Sequence, residues 1–209
     1  MVSSEKFEHV IMASETQKFL MASDAGYGFV GSFADMLSKN KAGKAYLSLP
    51  NAAKVLTPVR VNDIATDMCL SISNEGRMLL FPLRDLPSLG KGKGNKIINI
   101  PTAKAKSREE FVVAIAVVPL GCDVKVLAGK RGMTLKAADL EHYYGERGRR
   151  GNKLPRGLQR VDGVEVLNDI SPSELDDGAD ATIDNLLQTD AAKEIESTPP
   201  QSDDLFGDD

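Results

Sequence analysis

Three stretches of this 209-residue chain mix glycine with lysine or arginine: residues 39–44 (K-N-K-A-G-K), 90–96 (G-K-G-K-G-N-K) and 145–153 (G-E-R-G-R-R-G-N-K). Glycine has no Cβ, so its backbone can come close to a phosphate and offer an N–H. Lysine adds charge, and arginine can fork two hydrogen bonds onto one phosphate. A loop of this kind grips a nucleic-acid backbone without reading bases. The candidate contacts are Lys39, Lys41 and Lys44 in the first loop, Lys91, Lys93 and Lys96 in the second, and Arg147, Arg149, Arg150 and Lys153 in the third. Arg156 and Arg160, just downstream, would extend the strip. Arg77, Lys130 and Arg131, at expected hairpin tips, are weaker candidates. One such loop is as readily a solvated turn. Three at matching places in a repeat say more, the second and third most clearly.

Other chemistries are poorly supplied. Residues 26–31 spell G-x-G-x-x-G, but they sit between short apolar runs, where a dinucleotide fingerprint needs a strand, a long helix and a βαβ unit. Gly43-Lys44 and Gly129-Lys130 are not followed by Ser or Thr, so neither is a P-loop. His9 and His142 lack Cys or carboxylate partners at metal spacing. No G-x-S-x-G motif and no Cys–His pairing is evident. No catalytic residue and no metal ligand is therefore assigned. Tyr27, Tyr143 and Tyr144 could stack on bases, but packing is the expected role.

The elements that must position these loops are short. The apolar runs at 18–21, 46–49, 68–72, 78–81, 96–100 and 124–127 are bounded by Gly, Pro, Asn or Asp, and several alternate with period two. That predicts strands joined by turns. Residues 111–118 form the longest apolar run and suit a buried strand. Helical signal is confined to one or two turns at 32–38 and 135–142. The order repeats about every fifty residues: a hairpin, an Asp beside an apolar residue, a Gly/basic loop, a closing strand. A repeat of that length marks a blade array. The expected fold is all-β, with about three four-stranded blades at 1–57, 58–110 and 111–167.

Charge divides the chain. Residues 1–167 hold 25 Lys and Arg against 17 Asp and Glu, while residues 168–209 hold 1 against 13. A basic body suggests a polyanion partner. The acidic, weakly apolar segment at 168–209 is expected to be a disordered tail, able to compete with that partner. Cys69 and Cys122 are expected as buried, reduced thiols. The first seven residues do not read as a secretory signal, and no apolar stretch has membrane-spanning length.

Residues 21–30 (M-A-S-D-A-G-Y-G-F-V), 85–101 (D-L-P-S-L-G-K-G-K-G-N-K-I-I-N-I-P), 145–151 (G-E-R-G-R-R-G) and 156–162 (R-G-L-Q-R-V-D) together resemble the C-terminal part of the bacterial topoisomerase IV A subunit, over about residues 5–167. The resemblance implies a β-pinwheel, a propeller-like ring of blades that bends double-stranded DNA for strand passage in decatenation and supercoil relaxation. It implies partnership with the topoisomerase IV B subunit and the rest of the A subunit, a bacterial condensin as a further partner, and a place in the cytoplasm at the nucleoid or the inner membrane face. ATP and magnesium would serve the holoenzyme elsewhere, with no cofactor in this chain. The family's breakage–reunion region is missing, so no tyrosine here inherits its nucleophile. The family's domain also has more than three blades, so these would be the last ones, whether of a truncated gene or of a cut fragment. The gyrase A subunit is the alternative relative, and a protein-interaction scaffold the alternative function. The gyrase hallmark box Q-R-R-G-G-K-G is not found.

Overall fold

The computed structural model describes residues 8–158 and 160–167. The acidic tail, and with it the expected disorder, lies outside the described residues. In chain order, β1 (Lys18–Ser23) and β2 (Tyr27–Ser32) form a hairpin that runs into α1 (Phe33–Met36). Next come β3 (Val59–Val61), the hairpin β4 (Met68–Ser73) and β5 (Arg77–Pro82), a 3₁₀ turn at Leu83–Asp85, β6 (Asn95–Lys96) and α2 (Thr102–Ser107). Then follow β7 (Val112–Val118), the hairpin β8 (Asp123–Ala128) and β9 (Arg131–Leu135), α3 (Ala137–Leu140), a 3₁₀ turn at Glu141–Tyr143, β10 (Asn152–Lys153) and β11 (Gly163–Leu167).

The strands build three antiparallel sheets, ordered β3-β1-β2-β6, β10-β5-β4-β7 and β11-β8-β9. This is the expected all-β blade array. Sheets and sequence repeats are nevertheless different units. The first sheet takes its hairpin from residues 1–57 but both outer strands from 58–110, and the second takes its outer strands from 111–167. Each repeat thus clamps the hairpin before it. The third sheet has three strands among the described residues.

Packing follows from which faces are apolar. Cys69, Leu79, Phe81 and Val117 of the second sheet meet Leu20, Ala22 and Val30 of the first. Leu70, Ile72, Met78 and Leu80, on the opposite face, meet Val124, Val126 and Leu135 of the third. The middle sheet is buried on both faces, which explains why its strands read as nearly continuous apolar runs. Phe19, Met21 and Phe29 on the outer face of the first sheet are covered by Ile11, Phe33, Met36 and Tyr46. Cys69 and Cys122 both lie buried, in separate clusters.

Two expected strands do not form as ladders. Residues 46–49 make one bridge, at Leu47, and of 96–100 only Lys96 joins a strand. Ile97, Ile98 and Ile100 are instead wedged between the first two sheets, 1 to 3% exposed. Wedging hides the same side chains a strand would, so the apolar pattern alone does not separate the two. Conversely, the sequence pattern gives no sign of α2. Pro101 caps its start, and Arg108, left-handed at φ 61°, ends it.

Glycine is required where loop meets hairpin. Gly94 (φ 75°) and Gly151 (φ 72°) both precede an Asn-Lys strand pair. A Cβ on Gly94 would drive into the Gly28 backbone, and one on Gly151 would sit 2.5 Å from the Met78 carbonyl oxygen. Gly43 has the same φ of 75° but open space around it. Gly94→Ala should therefore cost about 2–4 kcal/mol, clash plus left-handed strain, against about 1 kcal/mol of strain alone for Gly43→Ala. Urea melts of the two variants check this. Equal costs would refute the close approach.

Candidate nucleic-acid interface

The second and third Gly/basic loops are wide turns, each laid over the preceding hairpin. The chain first runs parallel to that hairpin's second strand, with Val30 bridging Ser88 and Leu80 bridging Tyr144. It then swings out through the basic residues and returns antiparallel as β6 or β10. Small caps hold the turn before the first and third loops. The Ser32 hydroxyl donates to Asp35 Oδ2 at 2.6 Å and accepts from Asp35 N at 3.2 Å. In the third pass, Lys136 N donates to Asp139 Oδ2 at 3.1 Å. Asp35 and Asp139 are two of the aspartates whose recurrence marks the repeat; Asp85, in the second pass, ends a 3₁₀ turn without a side-chain cap.

The three loops are joined into one strip by backbone hydrogen bonds. Ser48 N donates to the Gly92 carbonyl and Gly92 N to the Tyr46 carbonyl, both at 2.9 Å, tying the first loop's outgoing segment to the second loop. Gly148 N donates to the Ile97 carbonyl at 3.0 Å and Asn99 N to the Arg149 carbonyl at 2.9 Å, tying the second to the third. Arg147 Nη1 adds a bond to the Lys96 carbonyl at 3.0 Å.

The expected cations divide into two groups. Lys39, Lys41, Lys44, Lys91, Lys93, Arg149, Lys153, Arg156 and Arg160 are exposed. Lys93 Nζ stands 4.2 Å from the centre of the Tyr27 ring, and Lys44 reaches the Asp35 carbonyl. Arg149 is paired with Glu146 at 2.7 Å, but both are more than 70% exposed, so that pair holds the arginine only weakly. The second group is half-buried and committed to the fold. Lys96 donates to Asn99 Oδ1 at 3.0 Å, Arg147 holds the Lys96 carbonyl, and Arg150 lies in an ion cluster.

That cluster joins three segments. Glu110 is fully buried and takes both arms of Arg150, with Nη2 to Oε2 at 2.7 Å. Arg150 also reaches Glu75 Oε2 at 3.3 Å and the Asn99 carbonyl at 2.9 Å. Lys104 bonds Glu75 at 2.7 Å. The Lys104 hydrogen bond holds the Glu75 carboxyl below its ordinary 4.5, and Glu75 raises Lys104 in return. At the third hairpin, the Lys136 ammonium, 2.7 Å away, holds Asp123 below its ordinary 3.8. Both carboxyls are depressed in the fold, so their contribution is present above the ordinary carboxylate range and is lost as pH falls through it. Melts from pH 7 to 3 should hold a steady Tm down to about pH 5 and then fall. A flat Tm to pH 3 would contradict the pairing.

The basic run Lys104, Lys106 and Arg108 of α2 is absent from the expected contacts, although three cations in five residues after Pro101 signal it. Lys104 and Arg108 are taken up by Glu75 and Asp24. Exposed Lys106 lines a cavity of about 180 Å³ with Lys93, Tyr27 and Thr102, which adds a cation beside the second loop. Among the described residues no group of His, Cys, Asp and Glu could hold a metal ion.

Residues 67–119, spanning the second hairpin, the second loop and β7, match the family described as DNA gyrase C-terminal domain, beta-propeller. The chain is 51% identical to the C-terminal domain of Escherichia coli ParC in a solved structure, with a TM-score of 0.71 over 76% of this chain and 64% of that one. The chain resembles the C-terminal domain of the topoisomerase IV A subunit. The DNA topoisomerase 4 A subunit of Pseudomonas aeruginosa is 55% identical over 168 residues, covering 80% of this chain and 22% of that protein. Its counterpart from Escherichia coli K12 is 52% identical over 159 residues, covering 76% and 21%. The chain thus spans about a fifth of the length of these curated relatives. A DNA gyrase A C-terminal domain shares the fold at 15% identity, with a TM-score of 0.58. The β-pinwheel is therefore the architecture of the described body. None of its helices is long and apolar enough to cross a membrane.

Proposed function

We propose that this pinwheel binds and bends double-stranded DNA along the strip formed by the three Gly/basic loops, and presents the duplex to a type II topoisomerase for strand passage. The observation that carries the reading is the continuity of the strip. Backbone bonds link loops at 46–48, 92, 96–99 and 147–150, so the exposed cations on them share one surface. Cations spaced along such a strip would neutralise successive phosphates, and a duplex drawn from loop to loop would bend to follow them. Contact to phosphate leaves base edges unread, so binding is tolerant of sequence. Lys91, Lys93, Arg149, Lys153 and Arg156 are the proposed contacts. Lys96, Arg147 and Arg150 shape the loops. Binding needs neither ATP nor magnesium. By resemblance, those belong to catalytic parts on the B subunit and the rest of the A subunit, in the bacterial cytoplasm.

A gel-shift series in rising salt tests the reading. The plot of log K against log salt should fall with a slope steeper than about −3, since each neutralised phosphate contributes about −0.9. AT-rich and GC-rich duplexes of equal length should bind alike. A slope near zero would overturn the proposal.

A further inference from the structure

Beside the second loop, four segments of the chain line a cavity of about 180 Å³. Tyr27 opens β2 directly after Gly26, which is left-handed at φ 82°. Lys96 faces Tyr27 in the ladder, so the second loop passes the ring and sets Lys93 Nζ 4.2 Å from its centre. The turn at Pro50-Asn51 supplies another wall. In α2, Thr102, Ala105 and Lys106 stand three and four positions apart, share one helix face, and all line the cavity. The neighbouring cations are engaged elsewhere. Lys104 bonds Glu75 at 2.7 Å, while Arg108 bonds buried Asp24 at 2.6 Å and the Ala52 carbonyl at 3.2 Å. Those ties fix α2 against the turns around it.

The lining divides by chemistry. Ala25, Ile100 and Ala105 give an apolar side, and Ile100 is only 3% exposed. Tyr27, Asn51, Lys93, Thr102 and Lys106 give a polar side. Apart from Lys93 on Tyr27, none of these five side chains bonds or pairs with another described residue. Two ammonium groups on one small cavity favour an anion there, and a doubly charged anion over a singly charged one. A phosphate monoester carries about −2 at pH 7, where a carboxylate carries a single charge. Size narrows the ligand further. A cavity of about 150 Å³ holds one benzene ring, so this one has room for one ring and little more.

We infer that this cavity binds a phosphate monoester carrying a single planar ring, the chemistry of a pyrimidine nucleotide. The phosphate lies with the Lys93 and Lys106 ammonium groups. The ring rests on Ala25, Ile100 and Ala105, and its polar edge meets the Asn51 amide and the Thr102 hydroxyl. Lys93 is also a proposed duplex contact, but ligand binding here needs no DNA.

The test titrates the full chain, without DNA and at constant ionic strength, with thymidylate, adenylate and inorganic phosphate, followed by amide NMR shifts. Thymidylate should saturate with a Kd of about 1 mM, as expected of a ligand this small, and should move the amides of Lys93, Thr102 and Lys106 together. Adenylate, with two fused rings, should bind at least fivefold more weakly, and inorganic phosphate at least tenfold. Lys106→Ala should weaken thymidylate about tenfold with an unchanged thermal melt, since the side chain is exposed. Inorganic phosphate binding as tightly as thymidylate would overturn the proposal and reduce the cavity to surface charge. Adenylate binding as tightly as thymidylate, or thymidylate shifts that Lys106→Ala leaves unchanged, would overturn it as well.

Discussion

Arg150→Ala is expected to be among the most damaging single substitutions in the chain, costing about 3–5 kcal/mol. The guanidinium is the bidentate partner of Glu110, a carboxylate with no exposed surface. Removing it leaves a buried charge opposed only by Lys104, 3.9 Å away, and takes from Glu75 one of its cations as well. The same guanidinium holds the Asn99 carbonyl, so the third loop should loosen from the second. Glu110→Gln keeps the shape and loses the charge, and should cost less, about 1–3 kcal/mol. The Arg150→Met, Glu110→Leu pair should recover most of the loss, because a buried ion pair is often replaceable by apolar side chains of similar volume. Urea unfolding of the three variants measures all of this. A loss below about 1 kcal/mol for Arg150→Ala would show that the cluster is not what fixes the loop. Arg149→Ala, one residue away, should leave stability within about 0.5 kcal/mol, since its pair with Glu146 is exposed.

The second large effect concerns binding. Removing four exposed cations together, Lys91, Lys93, Arg149 and Lys153 to Ala, should flatten the salt slope by up to about 3.6 and weaken DNA binding at 0.15 M salt on the order of 10³-fold. All four lie outside the ion cluster, so the melting temperature should stay within a few degrees. The loss should be uniform across duplex sequences, because phosphate contacts carry no sequence information. An unchanged slope would reduce the loops to ordinary turns. A loss confined to one sequence would mean bases are being read.

Legibility in the sequence differs by element. The hairpins at 18–32, 68–82 and 123–135 follow from short apolar runs set between turn residues, because their burial is decided within the hairpin and by one covering face. Residues 97–100 mislead. Three isoleucines spaced like a strand serve equally well as a wedge between sheets, and periodicity carries no record of which partner lies opposite. The fourth strands are also misplaced by pattern alone, since a two-residue pairing such as Asn95–Lys96 leaves no periodic trace.

The candidate site shows the same division. Glycine in the loops reads, from sequence, as room for a phosphate. The structure shows that Gly94 and Gly151 make room for the preceding hairpin's backbone instead. Arg150 groups naturally with Arg149 because the two are adjacent and alike. The fold separates them, one exposed and one locked onto Glu110, forty residues earlier in the chain.

The sequence by itself determined what local chemistry can encode: an all-β body, a repeat of about fifty residues, loops with paired glycine and positive charge, and the resemblance to the topoisomerase IV A subunit. Only the tertiary structure decided which cations remain at the surface and that the three loops join into one strip. Those properties depend on pairings between segments tens of residues apart. Side-chain type sets what a residue can bond to, but the sheet register sets which groups come within reach and which are left facing water.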